Sequence, residues 1–191
     1  MQALVKAATE PDFPARISLV VSNKPQAAGL DFARAHGIDT AVIDHRRFED
    51  RESFEGALDK VLQDAKIDLI CLAGFMRVLT PWFITRWQGR LINIHPALLP
   101  SYKGLHTHER ALSDGVKIHG CTVHHVVPEV DAGPIIAQAA VPVFSDDNVE
   151  SLAARVLSAE HQLYPLALLK HLKTHVDPAK LSDAKSQMLA L

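Results

Sequence analysis

Asn93 and His95 stand two residues apart in the run Leu91-Ile92-Asn93-Ile94-His95-Pro96. In an extended strand, side chains at i and i+2 share one face. An amide N–H donor and an imidazole therefore project together, a pairing suited to stabilising a developing oxyanion. His95 alone reads equally well as a hydrogen-bonded histidine in a turn before proline. The Asn-x-His-Pro grouping at a strand end favours chemistry. Asp131 lies in Val130-Asp131-Ala132-Gly133-Pro134, and in isolation it reads as a turn residue. If that loop folds back over the strand, the carboxylate can pair with His95, favour imidazolium and orient the ring. The product is an acid–base site with no nucleophilic Ser or Cys nearby.

Other histidines crowd the same stretch: His106, His108, His119, His124 and His125. His-x-His and adjacent His invite a metal reading. No His-Glu-x-x-His or comparable ligand pattern accompanies them, so the expectation is a site without metal. His124, in Thr122-Val123-His124, could face the Asn93 pocket, and His125 then alternates toward the surface. His36, His45, His171 and His175 read as solvated helix or loop residues. The nine glycines include no two separated by a single residue, so a glycine-rich phosphate loop is absent.

Alternating elements must position these groups. Residues 17–21, 40–44, 68–73 and 91–94 read as apolar strands, and residues 27–35, 51–65 and 81–87 as the helices between them. The helix over 51–65 turns Phe54, Leu58, Val61 and Leu62 inward. Thr80 before Pro81 is a cap with proline at the first helical position. This βαβα rhythm predicts an α/β fold, a Rossmann-like and mostly parallel sheet with helices on both faces. Ligands of such sheets bind beyond the carboxyl ends of the strands, where Asn93 and His95 lie. Two β-rich runs, 120–127 and 135–143, follow with no helix between them and read as an antiparallel extension. Asp146, Asp147 and Asn148 cap a final helix that Pro165 kinks or splits, and the tail after Asp177 is polar and weakly patterned. Residues 1–8 already read as helix with no capping residue before them, as though the chain starts inside a helix.

The chain has 191 residues, a formal charge of −2, 48% apolar and 22% charged residues. That is ordinary globular composition for one domain. It excludes disorder, collagen and coiled coil, and it lacks the basic excess of a non-specific nucleic-acid binder. Cys71 and Cys121 cannot form a disulfide framework, which fits a reducing setting. No apolar stretch approaches the roughly 20 residues of a membrane span, and no signal peptide is visible. The expected location is the cytoplasm, with no membrane and no nucleic-acid partner.

The segment Asn93-Ile94-His95-Pro96-Ala97-Leu98-Leu99-Pro100-Ser101-Tyr102-Lys103-Gly104-Leu105-His106-Thr107-His108 closely resembles the central motif of glycinamide ribonucleotide formyltransferases. The likeness extends through Ser22-Asn23-Lys24, Ala73-Gly74-Phe75-Met76-Arg77-Val78-Leu79, Gly120-Cys121-Thr122-Val123-His124, Asp131-Ala132-Gly133-Pro134 and Glu160-His161-Gln162-Leu163-Tyr164-Pro165. It implies transfer of a formyl group from the co-substrate 10-formyltetrahydrofolate to the amine of glycinamide ribonucleotide, a step of purine synthesis. It also implies the formyltransferase fold and a monomer or weak homodimer. Asn93, His95 and Asp131 match the family's catalytic trio. Met76, Arg77, Val78 and Leu79 would line the pteridine site, with Asn93 beside it. Val127, Pro128, Glu129, Val130 and Asp131 would form the folate-binding loop, and Arg51 matches a basic position at the mouth. Met1, Gln2 and Glu160 match positions at the ribonucleotide site. Gly104-Leu105-His106-Thr107-His108 separates this group from methionyl-transfer-RNA formyltransferases and formyltetrahydrofolate hydrolases, which carry extra domains.

One departure stands out. Family members open with a strand and a Gly-x-Gly-Ser-Asn phosphate loop before a helix beginning like Met1-Gln2-Ala3-Leu4. The expectation is thus a single domain over 1–191 that is truncated at its N-terminus, with the middle of its sheet exposed. A folate-binding pseudoenzyme and a metal-dependent hydrolase built on the histidines are the alternatives.

Overall fold

The computed structural model describes residues 1–175 and 186–190, the latter as backbone. Seven strands form one sheet: β1 (Ala15–Ser22), β2 (Asp39–Val42), β3 (Leu69–Leu72), β4 (Leu91–His95), β5 (Ile118–His125), β6 (Ile135–Pro142) and β7 (Ser186–Ala190). Their order is β2-β1-β7-β3-β4-β5-β6. The pairs from β2 through β4 are parallel, and β4–β5 and β5–β6 are antiparallel. The α/β expectation and the antiparallel extension both hold. β3 is buried along its whole length, as a continuous apolar run between helical layers requires.

Helices cover both faces. α1 (Gln2–Ala8), α2 (Ala28–Ala35), α5 (Thr107–Ser113) and α6 (Val149–His175) share one core with Leu4, Leu30, Ala111, Leu152 and Leu168. α3 (Arg51–Asp64) and α4 (Pro81–Arg86) build the opposite core with Leu58, Leu62, Phe83 and Trp87. Two buried carboxylates on α3 fasten α4. Glu55 accepts from the Thr80 backbone N–H at 2.8 Å and from the Thr80 hydroxyl. Asp59 accepts from Trp87 Nε1 at 2.9 Å and from Arg86 Nε at 2.7 Å. Each buried acceptor has donors, which removes the cost of burying it bare, and the segment between β3 and α4 is held at both ends.

The structure corrects four expectations. α6 runs unbroken through Pro165. Leu163 and Tyr164 before it, and Ala167, Leu168 and Leu172 after it, are all buried. The Tyr164 hydroxyl also points between the Leu72 and Ile92 carbonyls, at 2.9 and 3.2 Å. Packing on both sides thus outweighs the one N–H that proline removes. The polar, weakly patterned tail nevertheless contributes a strand, residues 186–190 forming β7. That strand overturns the exposed centre: it fills the space between β1 and β3, with Leu189 opposite both Leu19 and Ile70. Finally, His171 is buried, its ring 5.0 Å from that of His125, which is half-buried and not a surface residue. His175's side chain lies outside the described residues.

Candidate active site

β4 ends at His95, with Asn93 two residues before it. β5 runs antiparallel beside it, in a register that sets Asn93 opposite His124 and His95 opposite Thr122. The loop after β5 turns back, fastened where the His125 N–H donates to the Pro134 carbonyl at 2.9 Å. That turn delivers Asp131. Its Oδ2 lies 3.3 Å from His95 Nδ1 and accepts from the Gly104 N–H at 2.9 Å. The two side chains are only 6% and 11% exposed. His95 Nε2 is 2.8 Å from the Tyr102 carbonyl. Both ring nitrogens thus face acceptors, and only the imidazolium can donate to both at once. Tyr102, His106 and Asp131 are three of the four non-glycine residues with positive φ among those described. Backbone of that kind costs energy and gathers where surrounding structure fixes a site.

A network that sequence reasoning missed holds the turn after β4. The buried Thr122 hydroxyl donates to the Ala97 carbonyl at 2.7 Å and accepts from the Leu99 N–H at 3.0 Å. Gln138 Nε2 donates to the same hydroxyl and to the Leu99 carbonyl, each at 2.9 Å. Thr122→Val keeps the shape and strands these partners in a buried place. The expected cost is about 2–3 kcal/mol, read as a lowered urea midpoint at unchanged m-value. An unshifted midpoint counts against the network.

A layer of rings packs beside Tyr102. The His119 ring is 5.7 Å from Tyr102 and 5.3 Å from His108, both edge to face. Burial, then the charge of His108, pushes His119 down to about 4 from its ordinary 6.5. An unfolded His119 therefore binds a proton between pH 6.5 and about 4 that the folded one does not. Stability is full above that window and falls as pH drops through it. His119→Leu is expected to flatten the loss of denaturant midpoint between about pH 7 and about pH 5. A slope identical to that of the parent chain refutes this assignment.

The remaining expected site residues fall around the strand ends. Met76 and Val78 are 80% and 54% exposed after β3, whereas Leu79 is buried. The Arg77 guanidinium lies over the Phe54 ring, 5.7 Å from its centre. Across β4, Val127 is half-buried and Pro128, Glu129 and Val130 are exposed, with Glu129 held by Lys103 at 3.1 Å. The loops after β3 and after β5 therefore flank Asn93 and His95 from two sides. A cavity of about 350 Å³ opens at the carboxyl ends of β1 and β3, and Met1, Asn23, Lys24, His45, Met76 and Arg77 are among its walls. Glu160 on α6 lies near the Met1 amine, and burial pushes its carboxyl up. Gln2 is exposed on α1, and Arg51 is exposed at the start of α3, outside that cavity's walls. Among the described residues no group of three or more His, Cys, Asp or Glu could hold a metal ion. No helix among them is long and apolar enough to cross a membrane.

Residues 1–168 match the family described as formyl transferase. The chain belongs to the formyl transferase family. The chain is 44% identical over 168 residues to the phosphoribosylglycinamide formyltransferase of Escherichia coli, a match covering 88% of this chain and 79% of that protein. It is 51% identical over 168 residues to the human trifunctional purine biosynthetic protein adenosine-3, again over 88% of this chain but spanning 17% of that protein's length. The crystal structure of phosphoribosylglycinamide formyltransferase from Brucella melitensis superposes with a TM-score of 0.87 at 53% identity, covering 93% of this chain and 91% of that one.

Proposed function

We propose that this formyl transferase moves the formyl group of 10-formyltetrahydrofolate to the amine of glycinamide ribonucleotide. The observation that carries the proposal is the clustering of Asn93, His95 and Asp131 at the carboxyl end of β4, with His95 between two acceptors. The names of the Escherichia coli and Brucella melitensis proteins support the same reaction.

The substrate amine attacks the formyl carbon and a C–N bond forms. The carbonyl electrons move to oxygen, giving a tetrahedral intermediate. The Asn93 side-chain N–H donates to that oxyanion. The His95 Nε2–H leaves the Tyr102 carbonyl for it, because an anionic oxygen is the stronger acceptor. The Asp131 carboxylate holds the imidazolium in place. Collapse breaks the bond from the formyl carbon to folate N10, which leaves with a proton as the new amide nitrogen gives one up. No covalent enzyme intermediate is required, and the rate comes from positioning and charge. Met76, Arg77, Val78 and Leu79 on one side, and Val127 to Asp131 on the other, hold the folate. Arg51 serves the mouth, and Met1, Gln2 and Glu160 serve the ribonucleotide.

The test is direct. The purified chain is supplied with both substrates, and formylated ribonucleotide is followed by mass spectrometry while binding of each substrate is titrated by calorimetry. Product formation that requires both substrates is the expected result. Folate binding with neither ribonucleotide binding nor product replaces this reading with that of a folate-binding protein.

A further inference from the structure

His124 plays no part in the chemistry above, yet it is 2% exposed and stands directly across the ladder from Asn93. Its Nδ1 lies 2.8 Å from the His125 carbonyl oxygen. A carbonyl can only accept, so Nδ1 carries the hydrogen. In the neutral ring Nε2 is then a bare lone pair. That lone pair lies 3.4 Å from Asn93 Nδ2. An amide nitrogen has two hydrogens in fixed directions: one meets Nε2, and the other is left for a ligand. The flipped amide would set its oxygen against the lone pair, so one orientation is selected.

Resting on the formyl-transfer reading, we propose that His124 is a positioning residue that locks the Asn93 amide with its free N–H toward the reacting carbonyl. The charged groups facing His124 are Asp131, whose Oδ1 is 3.7 Å from Nε2, and His95 on β4. Asp131 pulls toward the protonated ring, whose Nε2–H would donate to the amide oxygen and select the flipped orientation. Burial and the charge of His95 oppose it, and the balance holds His124 below its ordinary value. The device works through the neutral tautomer.

Two substitutions divide the imidazole into its halves. His124→Gln places an oxygen near the position of Nε2 and keeps an acceptor for Asn93. His124→Asn reaches only as far as Nδ1 and keeps the anchor to the His125 carbonyl. His124→Asn is expected to lower kcat about 10–100-fold, a fraction of the loss from deleting an oxyanion donor, with KM for both substrates nearly unchanged. His124→Gln recovers most of that loss. Nitrogen-15 NMR of the parent chain should show Nδ1 protonated and Nε2 bare at neutral pH. Equal losses in the two variants, or a hydrogen on Nε2 in the parent chain, overturn the proposal. The NMR result stands even if the chain transfers no formyl group, in which case the functional reading fails and the tautomer still decides the role of His124.

Discussion

Asp131→Asn is expected to lower kcat for formyl transfer by roughly a thousandfold to ten-thousandfold, the upper figure being the loss when a buried carboxylate orienting a catalytic imidazole becomes an amide. The fold should survive. The oxygen of the introduced amide can still accept from Gly104, whose N–H now meets Asp131 Oδ2 at 2.9 Å, so the loop keeps its anchor. That oxygen then fills the place of Oδ2, which also faces His95 Nδ1 at 3.3 Å, and the amide nitrogen falls on the His124 side. What changes is the charge beside the ring. The acceptor stays but its negative charge goes, so the imidazolium loses its counter-charge and the positive charge that would meet the oxyanion is disfavoured. Steady-state transfer rates at saturating substrates, beside a thermal melt, check this. A rate near that of the parent chain in a folded variant shows that Asp131 does not act on His95. His95→Ala and Asn93→Ala are expected to fall by similar orders, since each removes a donor to the same oxygen.

The second large effect belongs to a residue with no side chain. A Cβ on Gly133 would lie 1.8 Å from the His125 carbonyl oxygen and 2.8 Å from its carbon. Both are backbone atoms, so no flexible side chain can yield. In Gly133→Ala the strand and the returning loop must part, and the bond from the His125 N–H to the Pro134 carbonyl goes with them. Asp131 is two residues away, and its 3.3 Å approach to His95 depends on that closure. A displacement of about 1 Å at a catalytic group can cost about a hundredfold in rate, and the overpacking itself costs about 1–3 kcal/mol. Gly56→Ala is the matched control: it lies within α3, its Cβ meets nothing within 4 Å, and alanine there should stabilise by up to about 1 kcal/mol. Parent-like transfer by Gly133→Ala means that the loop closes without the tight contact.

The catalytic strand is readable because its signal is local: an apolar run, a period of two and polar groups at its carboxyl end. Asp131 is readable only conditionally, since its approach depends on an antiparallel register that no local pattern specifies. β5 shows where alternation fails. Six consecutive residues of it are buried, so His119 and His124 are enclosed from opposite faces and period alone cannot tell which serves the site. Thr122 and Gln138 look like ordinary strand residues because, apart from the bond between them, their partners are backbone atoms of a turn more than ten residues away. α5 escapes notice for want of periodicity: it has seven residues and buries only Thr107 and Ala111. It also begins after His106 at φ 57°, with no side-chain cap. β7 escapes because Ser186-Gln187-Met188-Leu189-Ala190 contains no β-branched or aromatic residue. Its place is set by the gap between two buried strands and not by propensity.

The position of β7 also bears on synthesis. β1 and β3 do not pair with each other; each pairs with β7, which follows every other element in sequence. Of the described elements β7 leaves a ribosome last, so the half-sheets β2 with β1 and β3 through β6 share no backbone ladder until it has emerged. Until then both carry bare, apolar ladder edges, the kind of surface on which nascent chains associate. Dependence on chaperones should accordingly be concentrated during translation, and fall away once the last strand is seated.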